Sequence, residues 1–501
     1  MVPDKVLAFA KERGLFDCGI IVVGLSGGPD SVALLCILKT LKDNNDIDCD
    51  IRAFHCNHHL RPVVCDEEAL QVKELCGRLG VDLKVIDFDC SGFARQNHVS
   101  EETAGRLLRY EAFGQYAAAL EKSTGKTVRT AVAHHQDDIA ETMMMNLFRG
   151  SGLEGLVNPR SITGRIIRPL LCVKKSELTD YLDSRQIGYA VDQTNLTDQG
   201  TRNCWRNRFL TEIGAYYNED PSVPLTRTYR LLADDLDYLT GISGESYREN
   251  RKLLSGYPVL SASDVLKLHP AIMSRVIRLL WLETFGDLID FEEVHLKYCR
   301  SLMSSEGAGE QTIDMPFGRK AYRAGDVFGF TDREGITALS CRVTSEMGFL
   351  VSEGPVKMEL NAEDINGKSE FTAKIYNSSL KLKVLRIENK GDLEYNNFSW
   401  FCPADVFSMG GVTLGNCSGT GTGLRMRKAG SEGSKDIKRL MTDLKIPESA
   451  RKQIIFIEKD GEILWLPGFG HGTGFTDARS RERYTADMPD EHLVMFTVER
   501  L

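Results

Sequence analysis

The sequence contains no C-x-x-C pair, although it carries thirteen cysteines scattered from Cys18 to Cys417. An odd, dispersed set argues against a disulfide framework and against a tetrahedral zinc site. Reduced, mostly buried thiols in a cytoplasmic protein are the expectation. No apolar run approaches the roughly 18 residues that a membrane span requires. The opening residues, MVPDKVLAFAKERGLF, mix acids and bases and lack the apolar centre of an export signal. A basic surplus is missing as well. The net charge of −9, taken alone, argues against nucleic acid as a partner, although a total hides local patches. Internal repeats and low-complexity tracts are not evident.

The composition is otherwise ordinary for a globular protein, with 42% hydrophobic and 27% charged residues. The length of 501 residues predicts two to four domains. From Ile20 to about Leu171, short β-rich runs alternate with helical patterns. The runs are IIVVGL, DIRAFHCN (50–57), DLKVIDFD (82–89), TVRTAVAHH (127–135) and RIIRPLL (165–171). This rhythm predicts an α/β fold: a parallel, doubly wound, Rossmann-like sheet with helices on both faces. Segments 217–304 read as amphipathic helices, for example AIMSRVIRLLWLETFG. After about Ser305, glycine and short alternating runs return, and EKDGEI carries an Asp-Gly hairpin signal. The expected organisation is therefore 1–215 doubly wound α/β, 216–304 helical, and 305–501 α+β with one or two subdomains.

Ligands of such a sheet bind at the carboxyl ends of its strands. Three polar clusters fall there: SGGPDS after the first strand, HCNHHLR at the end of the second, and HHQDDIAET after the fourth. A strand, a glycine-rich turn and a helix together make a phosphate site, because backbone N–H groups and the positive helix end converge. Gly27 and Gly28 permit close approach, Pro29 suits a first helical turn, and Ser26 and Ser31 add hydroxyls. Yet the loop lacks the lysine of G-x-x-x-x-G-K-[ST] and the spacing of G-x-G-x-x-G. It carries Asp30 instead. A carboxylate beside phosphates repels them unless a cation intervenes, so Asp30 points to Mg²⁺ or to a cationic substrate.

The string S-G-G-x-D-S resembles the pyrophosphate loop of the N-type ATP pyrophosphatases, the PP-loop family. FHCNHHLRP (54–62), AHHQDDIAETMMMNLFRGSGLEGL (133–156) and DQTNLTDQGTRNCWRNRFL (192–210) narrow the resemblance to the tRNA(Ile)-lysidine synthetases. EETAGRLLRY (101–110) fits the family's A-R-x-x-R-Y segment with a glycine inserted before Arg106, and 420–470 is similar to its C-terminal domain. The resemblance implies a ligase that joins lysine to C2 of the wobble cytidine in an isoleucine tRNA with anticodon CAU. ATP adenylates the cytidine O2, the lysine amine attacks C2, and AMP leaves. ATP, Mg²⁺, lysine, that tRNA and a homodimer are the implied cofactor and partners. A cytidine thiolase with a similar ATP loop is the alternative, but such enzymes use paired cysteines.

Residue roles follow. Ser26, Gly27, Gly28, Pro29, Asp30 and Ser31, with His55 and Asn57, are expected to hold ATP. Asp137 is expected to hold the lysine ammonium or help deprotonate it, with His134 touching nucleotide or orienting Asp137. His134/Asp138 and Asp137/Glu141 are four apart, so each pair is expected to share a helix face, and Glu141 is expected to bind lysine or tRNA beside Asp137. Arg202, Asn203 and Arg206 are expected to clamp the α-phosphate or RNA, and Arg106 and Arg109 to contact phosphate or the tRNA backbone. Each group also has a plainer reading as a solvated face, a helix cap or a satisfied strand end. Segment 423–454 holds nine bases, including Lys435, Lys438 and Arg439, against four acids. Such a patch supplies salt-sensitive contacts to tRNA phosphates.

Overall fold

A computed structural model describes residues 1–501 except 59–61, 191–200, 218–219, 255, 307–308, 362–369, 376–379, 388–398, 408–410, 422, 428–432, 472–475, 478–492 and 501. It divides into two compact units, Met1–Tyr238 and Leu239–Leu501.

The first unit begins with α1 (Val2–Arg13), β1 (Ile20–Gly24), α2 (Pro29–Asp43), β2 (Asp50–Asn57) and α3 (Pro62–Leu79). β3 (Asp82–Asp87), α4 (Cys90–Asn97), α5 (Glu101–Thr124), β4 (Val128–Ala131) and α6 (Gln136–Phe148) follow. α7 (Leu153–Leu156), β5 (Ile162–Thr163), β6 (Ile166–Ile167), α8 (Lys175–Asp183), α9 (Thr201–Cys204) and α10 (Leu210–Tyr217) complete it, before α11 (Ser222–Asn250). The sheet order is β3-β2-β1-β4-β6-β5. All neighbours are parallel except β5 and β6.

β1 shows why this sheet forms. Its side chains alternate between two apolar layers, as a strand covered on both faces requires. Ile21 and Val23 enter a core with Leu34, Leu38 and Leu41 of α2. Ile20 and Val22 enter another with Phe54, Phe113, Ala117 and Leu120. The fifth expected strand, RIIRPLL, is far shorter than its apolar run. Only Ile166 and Ile167 pair, and Pro169 opens a 3₁₀ turn, since it has no N–H to continue a ladder.

The expected boundary at 304/305 does not fit the second unit. β7 (Lys252–Leu254) and β8 (Tyr257–Ser261) join β9 (Glu310–Asp314), β10 (Lys320–Ala324) and β11 (Val327–Thr331) in one sheet, ordered β7-β8-β11-β10-β9. Helices Pro270–Phe285 and Glu293–Ser304 pack on it through Val276, Ile277, Leu280, Trp281 and Leu296. A long helical pattern on either side concealed these two short strands. The boundary between the units, after Tyr238, also differs from the expected 215/216 and falls within α11 (Ser222–Asn250). Two further sheets follow. The Asp-Gly hairpin joins Ile455–Lys459 to Glu462–Leu466, with Asp460 at φ 49 and Gly461 at φ 81. Two successive positive φ values define a type I′ turn, which is what Asp-Gly favours.

Every cysteine whose side chain is described is a free thiol. Among the described residues no helix is long and apolar enough to cross a membrane.

The turn at Gly468 tests the second unit's packing. Its φ is +88°, and an added Cβ would lie 1.9 Å from the Gly348 carbonyl oxygen. Gly468→Ala is expected to cost at least about 2 kcal/mol, read as a lowered denaturant midpoint. A midpoint matching the wild type would contradict this packing.

Candidate active site

The phosphate loop is tied by its own serines. Ser26 N–H donates to Ser31 Oγ (3.1 Å), and that hydroxyl donates to the Gly28 carbonyl (3.0 Å). The Ser26 and Ser31 hydroxyls lie 3.1 Å apart. Gly27 sits at φ +92°, a conformation open to glycine. Its carbonyl accepts from Ala190 N–H at 3.0 Å. Gly28 is the N-cap of α2 and Pro29 lies in its first turn, so the helix's positive end opens onto the loop.

At the end of β2, buried His55 has Nδ1 2.8 Å from the Leu25 carbonyl. A carbonyl only accepts, so Nδ1 carries the proton and Nε2 presents a lone pair. Burial, with Arg109 nearby, lowers the pKa of this ring. Asn57 Nδ2 donates to Asp66 Oδ1 at 3.2 Å. His59, whose role the sequence left open, lies outside the described residues.

The third cluster differs from its expected geometry. α6 begins at Gln136, so His134 precedes the helix and shares no helix face with Asp138. The imidazole that stands against Asp137 is His135, not His134. His135 is 2% exposed and faces three carboxylates. Its Nδ1 lies 3.2 Å from Asp137 Oδ2, and its Nε2 lies 3.8 Å from Asp30 Oδ2 and 3.6 Å from Asp138 Oδ2. Burial opposes its charge, but Asp138, Asp137 and Asp30 together raise its pKa. Thus one side chain links the phosphate loop to the start of α6. The doubled His before Asp-Asp was the available signal, and an assumed helix start hid it.

Asp137 is half-buried. Its Oδ2 accepts from the Lys175 N–H at 2.9 Å, at the N-terminus of α8. Burial raises its pKa, but His135 and that N–H outweigh it and hold the carboxyl down at about 2. Asp138 is buried and accepts from the His135 N–H at 2.8 Å. Burial pushes the His134 pKa down to about 4, with Asp138 opposing and Arg168, Arg202 and Arg106 assisting.

Glu141 does not share the surroundings of Asp137. It is 1% exposed and held by two guanidiniums. Arg202 Nε donates to Glu141 Oε2 and Arg202 Nη2 to Asp138 Oδ1, each at 2.7 Å. Arg206 Nη2 donates to Glu141 Oε2 at 3.0 Å, and Arg206 Nε bonds Glu141 Oε1. Asn203 lies half-buried between these arginines on α9. Arg106 and Arg109 are exposed on α5, with Arg106 over the Tyr110 ring at 5.6 Å. Lys435, Lys438 and Arg439 are exposed in the second unit, and Lys435 pairs with Asp443 at 2.8 Å. Lys428 of the basic stretch and all of DQTNLTDQG (192–200) lie outside the described residues.

Asp30 offers one feature that fits a cation. Its Oδ1 is buried and has no hydrogen-bond partner. Among the described residues no group of three or more His, Cys, Asp or Glu side chains is placed to hold a metal ion. A site built from one carboxylate and phosphate oxygens, as Mg²⁺ commonly uses, fits both observations.

The family model described as a PP-loop domain matches residues 3–213, and the TilS substrate C-terminal domain matches 419–487. The chain is 29% identical over 475 residues to tRNA(Ile)-lysidine synthase of Clostridioides difficile, covering 92% of this chain and 94% of that one. It is 27% identical to the Clostridium acetobutylicum enzyme of that name, covering all of both chains. Against the Porphyromonas gingivalis synthase identity rises to 42% over 210 residues, covering 41% and 44% of the two chains. The chain belongs to the tRNA(Ile)-lysidine synthetase family. The stretch that matches the PP-loop model contains the whole carboxylate–histidine–arginine cluster.

Two outcomes follow from this geometry. Glu141→Gln removes the charge that holds both arginines and is expected to destabilise the protein by about 1.5–3 kcal/mol in chemical denaturation. A loss below 0.5 kcal/mol, by the scale of ordinary surface changes, would contradict the buried pairing. The pH test concerns His134. Its folded pKa of about 4 lies below the unfolded 6.5, so the unfolded chain binds the extra proton between them. Stability from this group is complete above about pH 6.5 and declines toward pH 4. His134→Gln should flatten the stability–pH slope in that window and leave it unchanged above it.

Proposed function

We infer that this protein uses ATP to join lysine to C2 of the wobble cytidine of an isoleucine tRNA with anticodon CAU. The observation that carries the reading is His135. It couples Asp30 on the phosphate loop to Asp137 at the start of α6, in a chain matched along its length by lysidine synthases. In this reading the 26–31 loop binds the pyrophosphate half of ATP, and His55 and Asn57 line the neighbouring strand end. Cytidine O2 attacks the α-phosphorus and pyrophosphate leaves. The lysine amine then attacks C2, loses a proton, and AMP departs with the O2 oxygen. Asp30, whose Oδ1 is buried without a partner, would hold Mg²⁺, and the ion would neutralise charge on the phosphates.

A carboxyl with a pKa of about 2 is a weak proton acceptor. This supports Asp137 as the holder of the lysine ammonium rather than as a strong general base. Arg202 and Arg206 are already engaged by Asp138 and Glu141. Their role is therefore to set a fixed positive edge beside the reacting phosphate, assisted by Asn203, while Arg106 and Arg109 meet the RNA backbone. A cytoplasmic homodimer belongs to the same reading. A cytidine thiolase is the weaker alternative, because the relatives that match along the chain carry the lysidine synthase name.

AMP release should require ATP, lysine and the tRNA together, and should stop when the wobble cytidine is replaced by uridine. AMP release without lysine, or with the uridine tRNA, would contradict the reading. Asp137→Asn should keep tRNA affinity and lose about 10²-fold or more in kcat. Equal losses of affinity and rate would remove Asp137 from the chemistry. Neutralising Lys435, Lys438 and Arg439 should weaken tRNA binding and flatten its salt dependence. An unchanged salt slope would remove that patch from the interface.

A further inference from the structure

Beside the Arg202–Arg206–Glu141 cluster lies an aromatic surface that no step above uses. The chain from Trp205 to Phe209 forms a π-helical turn, a local widening common at functional sites. Arg206 on this turn reaches inward to Glu141. Trp205 and Phe209, four apart, lie against each other with ring centroids at 4.9 Å and planes tilted by 48°. Phe148, the last residue of α6, extends the row at 5.2 Å from Trp205. Phe148 is 73% exposed and Phe209 39% exposed, so two of the three rings are open to solvent. Exposed Arg149 follows Phe148, and Arg208 lies over the Phe209 ring at 5.7 Å.

A row of solvent-facing rings flanked by guanidiniums matches the chemistry of an unpaired nucleobase on its phosphate backbone. The rings supply a π-face and the arginines meet the phosphates. Position supports the same occupant. Phe148 lies seven residues beyond Glu141 on α6, about 10 Å at 1.5 Å per residue.

We propose that Phe148, Trp205 and Phe209 form a stacking platform for an unpaired base of the RNA substrate next to the reacting cytidine. This rests on the tRNA-modifying reading and adds the site that holds the loop open beside it. Stacking on the platform fixes the neighbouring nucleotide and so presents the target base to the cluster.

The test uses the full-length protein and a CAU-anticodon tRNA transcript carrying 2-aminopurine in place of the adenine 3′ to the wobble cytidine. Binding should quench the probe. Trp205→Ala and Phe148→Ala should each relieve the quench and raise the KM for tRNA about tenfold, with the salt slope of binding unchanged. Trp205→Phe should restore quench and KM, whereas Trp205→Leu should not, because it keeps bulk but loses the π-face. Restoration by Leu would overturn the platform in favour of simple packing. Unchanged KM with an altered sedimentation coefficient would overturn it in favour of a contact between copies of the chain. If the unmodified protein transferred no lysine, the parent reading would fall, and the quench would still judge the platform.

Discussion

Four carboxylates, those of Asp30, Asp137, Asp138 and Glu141, crowd the carboxyl end of one parallel sheet, and the site depends on how their charge is balanced. Left alone, a buried group of like charges would take up protons. Here three of the four are compensated, in part by shared groups, since Arg202 bonds both Asp138 and Glu141. Glu141 is held by two guanidiniums, Asp138 by a guanidinium and a backbone N–H, and Asp137 by an imidazole and a helix N-terminus. Asp30 keeps a buried oxygen without a partner. The compensation is thus complete away from the phosphate loop and incomplete at it, which is where a cationic ligand or a metal-bound phosphate belongs.

The fold makes this balance attainable. Parallel pairing brings the carboxyl ends of β1, β2 and β4 to one edge, and the two-layer core beneath fixes them. His135 is the hinge of the arrangement, because it is the side chain common to the 26–31 loop and α6. Arg202 and Arg206 come from a segment more than fifty residues downstream. They reach the cluster only because α9 and the π-helical turn lie against α6. The same turn leaves Phe209 exposed beside Trp205, so one short stretch serves both charge balance and the proposed recognition.

Much of this was legible in the chain. The β1–loop–α2 unit could be read because β-branched strand, glycine turn and helix follow one another without a break. The 460–461 hairpin could be read because Asp-Gly demands positive φ. The fifth strand was overestimated because periodicity does not register where Pro169 stops a ladder. β7 and β8 were missed because a few strand residues between long amphipathic helices carry little signal. In the site, the residue types were evident but their partners were not. His134 and His135 are adjacent and chemically identical, and only the start of α6 decides which one faces Asp137. The engagement of Glu141 by arginines some sixty residues away is likewise a tertiary fact.

The measurement that tests the account most directly is transfer of labelled lysine to a CAU-anticodon isoleucine tRNA transcript, with and without ATP. The account predicts ATP-dependent label on the wobble nucleotide. ATP–pyrophosphate exchange with that tRNA but no lysine label would keep the adenylation chemistry and contradict lysine as the nucleophile.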